Sequence, residues 1–154
     1  MSKFTTAQMS MLAKQSCGGV IPRFEGEWYM LEQSGKLYDF GGKKKGNETL
    51  MATALREFEE ESGLTMDNIT RVHGVYCGRF YGVIIVDVDK EPVAVEPGST
   101  IVRMENYSSG EVNGRLYITG LERGMRAVEA AEDAEFATTG ATSDNHHGFI
   151  FDDE

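Results

Sequence analysis

Cysteine is scarce in this chain. Its 154 residues hold two, Cys17 and Cys77, too few for a disulfide scaffold and at no recognised zinc spacing, so both are expected to be buried thiols of a reducing cytoplasm. Long apolar runs are missing as well. Residues 1–16 carry Lys3, Lys14 and several hydroxyls but no secretory core segment, and no stretch approaches a membrane span, so a cytoplasmic protein is expected, with no membrane partner. Positive charge is in short supply: 15 Lys and Arg face 25 Asp and Glu, a net charge of −10. That excludes a general nucleic-acid binder, which needs a cationic surface to displace counterions from phosphate. There is no internal repeat, low-complexity segment or composition shift. With 40% hydrophobic residues the chain is expected to form one domain over 1–154, with a short N-terminal lead and a partly ordered acidic C-terminal tail.

What is present alternates between strand and helix signals. Residues 16–24 and 28–33 are rich in β-branched, aromatic and small residues around Glu25-Gly26-Glu27, which predicts a strand pair with a tight turn. Tyr38-Asp39-Phe40 predicts a short extended approach to Gly41-Gly42, where glycine permits positive φ or a close backbone contact. Asn47 is the expected N-cap of a helix of about four turns, with Glu48 in its first turn and Gly63 as its stop. Met51, Ala54, Leu55 and Phe58 share the arc that would meet a sheet, with Glu57, Glu60 and Glu61 on the arc beside it. Residues 69–80 and 81–88 predict further strands, Val83 to Val86 reading as a central one. Residues 101–104 and 115–121 give weaker strands, 121–136 keep helical spacing, and 138–154 read as loop and tail around Phe149-Ile150-Phe151.

The chemistry is concentrated in residues 42–64. Gly42, Glu48, Arg56, Glu57, Phe58, Glu60, Glu61, Gly63 and Leu64 follow G-x5-E-x7-R-E-U-x-E-E-x-G-U, with U apolar. At ordinary residue frequencies the seven fixed positions match by chance about once in 10^8 starts. Four acids among residues 57–61 would by themselves be a solvated helix face. Residues three and four apart on a helix are neighbours, however, so Glu57, Glu60 and Glu61 must repel one another unless a cation intervenes. Arg56 can pair with Glu60 at i,i+4, while Glu57 has no base inside the motif. An all-oxygen cluster of this kind suits Mg2+ or Mn2+ better than zinc.

Residues 42–64 match the Nudix box, and the chain resembles the Nudix hydrolase superfamily. The resemblance implies an α/β fold, an α/β/α sandwich with a mixed β-sheet between helices. It implies metal-dependent hydrolysis of the pyrophosphate bond in a nucleoside diphosphate linked to another moiety, with a small nucleotide or polyphosphate as substrate. Carried onto this chain, it makes Glu60 and Glu61 principal metal ligands, Glu57 a ligand or the base that orients water, Arg56 a structural partner and Glu48 an outer-shell acid. A backbone carbonyl from Gly41 or Gly42 would complete the metal shell. Many members add a carboxylate ahead of the second helix; Glu111 is the first choice, with Glu105 and Glu96 as competitors. Phe40 departs from the proline that often precedes the glycine pair.

Lys43, Lys44 and Lys45 form a positive cluster in an acidic chain, and many members have an acid where Lys45 stands. Lys43 and Lys45, with Arg23 for phosphate, are candidate substrate contacts, which leaves room for extra phosphates, including a capped RNA end. Tyr81 resembles in position a tyrosine of diadenosine-polyphosphate hydrolases, and Phe80 stands where ADP-sugar hydrolases tend to have proline. Trp28, Tyr29, Tyr38 and Tyr76 are further stacking candidates, and Arg79 a further phosphate contact. His146-His147 lacks a third ligand and reads as an exposed pair. Two alternatives stand against hydrolysis: a non-catalytic Nudix-fold module that senses a nucleotide, and an isoprenoid-diphosphate isomerase, whose required cysteine has no motif here.

Overall fold

Runs of Val, Ile and aromatic residues on either side of a glycine make the first hairpin. Strand β1 (Cys17–Phe24) turns into β2 (Glu27–Gln33) through Glu25 and Gly26, at φ 51° and 81°. Positive φ at both central positions matches the right-handed twist of the flanking strands; glycine takes it freely, and Glu25 bears a small steric cost. The structure, a computed structural model, describes residues 4–33, 36–77, 81–104, 125–130 and 149–152. Among them are helix α1 (Thr6–Ala13), β3 (Lys36–Tyr38), β4 (Phe40–Lys43), helix α2 (Leu50–Ser62), β5 (Ile69–Cys77), β6 (Tyr81–Val88), β7 (Thr100–Met104), β8 (Phe149–Asp152) and a helical segment at 125–130. The expectations for residues 78–80, 115–121, 131–136 and 138–148 lie outside the described residues.

The strands form one mixed sheet in the order β3-β2-β1-β6-β5-β8, with β4 also paired to β1 and β7 to β2. Pairs β1–β6 and β5–β8 are parallel and the rest antiparallel. One edge of β1 is divided: Cys17 to Val20 face β4, while Arg23 and Phe24 face β2. Its other edge runs along β6 from Cys17 to Arg23. Val83 to Val86 therefore sit in an interior strand with full burial, which is why that stretch is uniformly apolar.

The two faces of the sheet carry separate cores. On one, Val20, Phe40, Val72, Ile84 and Val86 pack beneath α1 and α2. On the other, Ile21, Trp28, Met30, Tyr76, Val83 and Ile85 lie against Met125 and Val128 of the segment at 125–130. This is the expected α/β/α sandwich. Ala54 and Phe58 anchor α2, both fully buried, with Met51 and Leu55 half-buried beside them. Phe58 meets Phe40 edge to face, ring centroids 5.8 Å apart at 70°, and burying such a side chain is worth about 1.5–3 kcal/mol.

Two expectations are corrected. The N-cap of α2 is Thr49, not Asn47: its Oγ1 accepts from the Ala52 amide at 3.1 Å, and its backbone is extended at φ −72°, ψ 158°. Asn47 is consumed one turn earlier, where the Glu48 amide donates to the Lys45 carbonyl at 3.1 Å and Gly46 takes φ 54°. Glu48 thus precedes the helix instead of lying in its first turn. The second correction is at 149–152, read as loop and found as β8, a parallel edge strand aligned from Gly74↔Phe149 to Cys77↔Asp152. Gly63 ends α2 as expected, at φ 76° with its amide donating to the Glu59 carbonyl at 2.9 Å.

Candidate metal and phosphate site

Strand β4 carries Gly41 and Gly42 into contact with two opposite surroundings. Gly42 pairs with Gly18 and Gly41 with Gly19, so four glycines make a patch of sheet without Cβ atoms. A Cβ on Gly42 would stand 2.5 Å from Glu57 Oε1 and 2.6 Å from its carboxyl carbon. The Glu57 carboxylate therefore rests directly on the β4 backbone, and a side chain at position 42 would displace it.

Arg56 organises the acids around that contact. Its Nε donates to Glu48 Oε2 at 2.7 Å, Nη2 to Glu48 Oε1 at 3.0 Å and to the Lys43 carbonyl at 3.2 Å, and Nη1 to Glu57 Oε1 at 2.9 Å. Glu60 is a longer partner, 3.4 Å from Nη1 to either oxygen. The i,i+4 pairing read from the sequence is thus the weakest of the set, and Glu57 does have a base inside the motif. The guanidinium fork faces Glu48 bidentately, because Glu48 leaves the loop ahead of the helix and reaches back along it. Hydrogen bonds from Arg56, and then from the Lys45 amide, hold the Glu48 carboxyl down to about 2; burial opposes this, and the Thr53 hydroxyl adds to it. The Arg56 guanidinium is in turn pushed above its ordinary range, Glu48 being the largest cause.

Three of the four glutamates of α2 are candidate ligands, and they differ in exposure. Glu60 is open to solvent, Glu57 is half-buried and Glu61 is buried at 6%. Among the described residues no three His, Cys, Asp or Glu side chains stand ready around one point to hold a metal, and Arg56 engages Glu57 and Glu60. The donor chemistry nonetheless fits a hard divalent cation. Every candidate ligand is oxygen, Glu61 is a carboxylate taken out of water, and the Cβ-less Gly42 lets main-chain oxygens approach Glu57.

The predicted substrate residues fall in different places. Lys43, Lys44 and Lys45 are exposed at the end of β4, beside Arg56. Tyr81 pairs with Cys17 and packs into the second-face core, its hydroxyl 2.5 Å from where a Gly41 Cβ would be. Arg23 lies at the other end of β1, buried, donating from Nε to Asp87 Oδ1 at 3.0 Å with its guanidinium 5.6 Å from the Trp28 ring centroid. Those contacts make it a bridge within the sheet, remote from Gly42. Trp28 and Tyr76 are core residues, and the Tyr29 hydroxyl donates to Glu91 at 3.1 Å. Glu96 is exposed after β6. Glu111, Glu105, Arg79, Phe80 and His146-His147 lie outside the described residues.

Sequence reading missed two polar clusters on the second face. Asp39 is fully buried between β3 and β4, with Oδ2 against Gly19 and Gly41. His73, placed by a bulge in β5 between Val72 and Gly74, stands with Nε2 2.8 Å from Asp87 Oδ1. Burial pushes the Asp87 carboxyl up, but hydrogen bonds and charge from His73 and Arg23 outweigh it and leave the group below its ordinary value. An acid inside an otherwise strand-forming run was the available signal in both cases.

No protein-family model matches the chain, and no curated protein matches it. Solved structures do. A NUDIX hydrolase from Nitrosomonas europaea is 17% identical over 90% of this chain and 80% of its own, with a TM-score of 0.52. An Ap4A hydrolase from C. elegans is 14% identical over 79% of this chain and 98% of its own, at 0.56. The Bacillus subtilis pyrophosphohydrolase BsRppH is 17% identical over 76% and 82%, at 0.52. With the box placed on a glycine strand and the helix that follows it, inside a mixed sheet covered on both faces, the chain has the fold of the Nudix hydrolase superfamily.

Proposed function

We propose that this protein is a metal-dependent pyrophosphohydrolase that cleaves the diphosphate bridge of a nucleoside diphosphate linked to another group. The observation that carries the reading is the Glu57 carboxylate seated on the Gly42 backbone, on a helix that also bears Glu60 and Glu61. Glu60 and Glu61, with a main-chain oxygen of Gly41 or Gly42, would hold Mg2+ or Mn2+. Such an ion would supply positive charge against the phosphate oxygens and ease loss of a proton from the attacking water. Arg56 fixes Glu57 through Oε1, which leaves Oε2 to ligate or to accept that proton. Lys43 and Lys45 would meet the outer phosphates, and Glu111 would add a further carboxylate.

A nucleotide panel incubated with Mg2+ or Mn2+ tests this: release of a mononucleotide or phosphorylated product is expected, and Glu61→Gln should remove most of it. Full turnover in that variant, or with metal chelated, contradicts the mechanism. A second reading, a nucleotide-sensing module without cleavage, draws support from Arg56, whose bonds to Glu57 and Glu60 give those acids a partner without metal. Calorimetry separates the two: the module requires tight binding with the ligand recovered intact.

A further inference from the structure

The glycine patch thins the sheet at one point, so that different carboxylates reach β4 from its two sides. Glu57 contacts Gly42 from the α2 side. On the opposite side, a Cβ on Gly41 would lie 2.5 Å from Asp39 Oδ2 and 2.5 Å from the Tyr81 hydroxyl, and one on Gly19 would collide with the same Asp39 oxygen. Gly19 and Gly41 are cross-strand partners, so Asp39 Oδ2 sits over a pair of residues that have no side chains. Asp39 is fully buried and Tyr81 nearly so, at 0% and 8%. Two polar atoms thus fill, in a region closed to water, the space that a Gly41 side chain would take, next to the Gly42 main chain that supports Glu57. Glycine backbone has wide torsional freedom, and groups packed into the space of its missing side chains narrow it.

We propose that Asp39 and Tyr81 are positioning residues that set the Gly41-Gly42 backbone from behind, so that its carbonyl oxygen and Glu57 meet a divalent cation in one geometry. Neither touches substrate. The role rests on the metal-dependent reading above, and concerns the protein's own affinity for the ion. Atoms placed behind metal ligands typically change metal affinity by about 10- to 100-fold when removed.

The test is Mn2+ binding without substrate, followed by the electron paramagnetic resonance signal of the free ion, for the full-length chain and for Glu61→Gln, Tyr81→Phe and Asp39→Asn. Tyr81→Phe keeps the ring and deletes only the hydroxyl; Asp39→Asn keeps the shape. The result expected is Mn2+ affinity weakened roughly tenfold in each, while the melting temperature in chelator stays close to that of the parent for Tyr81→Phe. Tyr81→Phe carries the test alone should Asp39→Asn fail to fold. Mn2+ affinity unchanged in a folded Tyr81→Phe overturns the proposal while leaving the metal-dependent reading intact. Absence of Mn2+ binding by the parent chain, or binding indifferent to Glu61→Gln, overturns that reading and the proposal with it.

Discussion

At Gly42 a hydrogen atom stands where any other residue would drive a methylene into Glu57, and the site depends on that space. Gly42→Ala should cost no more than about 1 kcal/mol, since the clash falls on the movable end of Glu57, but displace that carboxylate, cutting turnover by more than tenfold. Equilibrium unfolding and steady-state rates on the variant check both parts; a fully active, equally stable Gly42→Ala would contradict the contact. Glu48 makes a prediction about pH. Its carboxyl, held by Arg56 from 4.5 down to about 2, contributes stability that is complete above pH 4.5 and is lost as pH falls through about 2. The stability advantage of the parent over Glu48→Gln should therefore shrink across that interval in urea titrations at stepped pH. An advantage that stays constant from pH 6 to 2 would contradict the bond. Arg56 shows the limit of reading such residues from spacing. Helical periodicity offers Glu60, but a guanidinium takes the partner that presents two oxygens to its fork, and Glu48 does so from outside the helix.

At the scale of elements, α2 is held at its ends by two devices of different legibility. Gly63 was readable, because a left-handed residue after a helix favours glycine whatever surrounds it. Thr49 was not, since Asn47, Glu48 and Thr49 all have capping oxygens and the preceding turn, through Gly46, decides which one is left at the helix start. Thr49→Ala should destabilise the fold by about 1 kcal/mol, read as a shift in the urea midpoint without a change in slope. The same substitution at Asn47 should have little effect. Strand β8 was missed because Phe149-Ile150-Phe151 is too short to show a period; its strand character comes from pairing with β5, a partner 75 positions earlier (149 − 74). The long apolar stretch of β6 was legible for the converse reason, as burial on both faces leaves its mark on every residue.

Across the whole molecule, strand pairing brings distant segments together, and the polar groups that sequence reading overlooked lie across paired strands. Asp87 on β6 joins Arg23 on β1 and His73 on β5 through one oxygen. Asp87→Asn leaves those bases without their carboxylate and should cost about 3–5 kcal/mol by chemical denaturation; a change under 1 kcal/mol would contradict the bridge. Arg23, read from the sequence as a phosphate contact, belongs to this bridge, and nothing in residues 16–24 alone could have revealed its partner. The helix that carries Glu57, Glu60 and Glu61 was more legible than the rest, because its apolar arc and its glycine stop are contiguous in the sequence. Asp39 stayed hidden until Gly19 and Gly41 were seen as cross-strand neighbours. The most direct test of the hydrolytic reading is turnover in H2 18O with Mg2+, products weighed by mass spectrometry. One 18O atom on one phosphate product per cleavage, abolished by Glu61→Gln, is predicted; a ligand that remains intact, or products free of label, would contradict it.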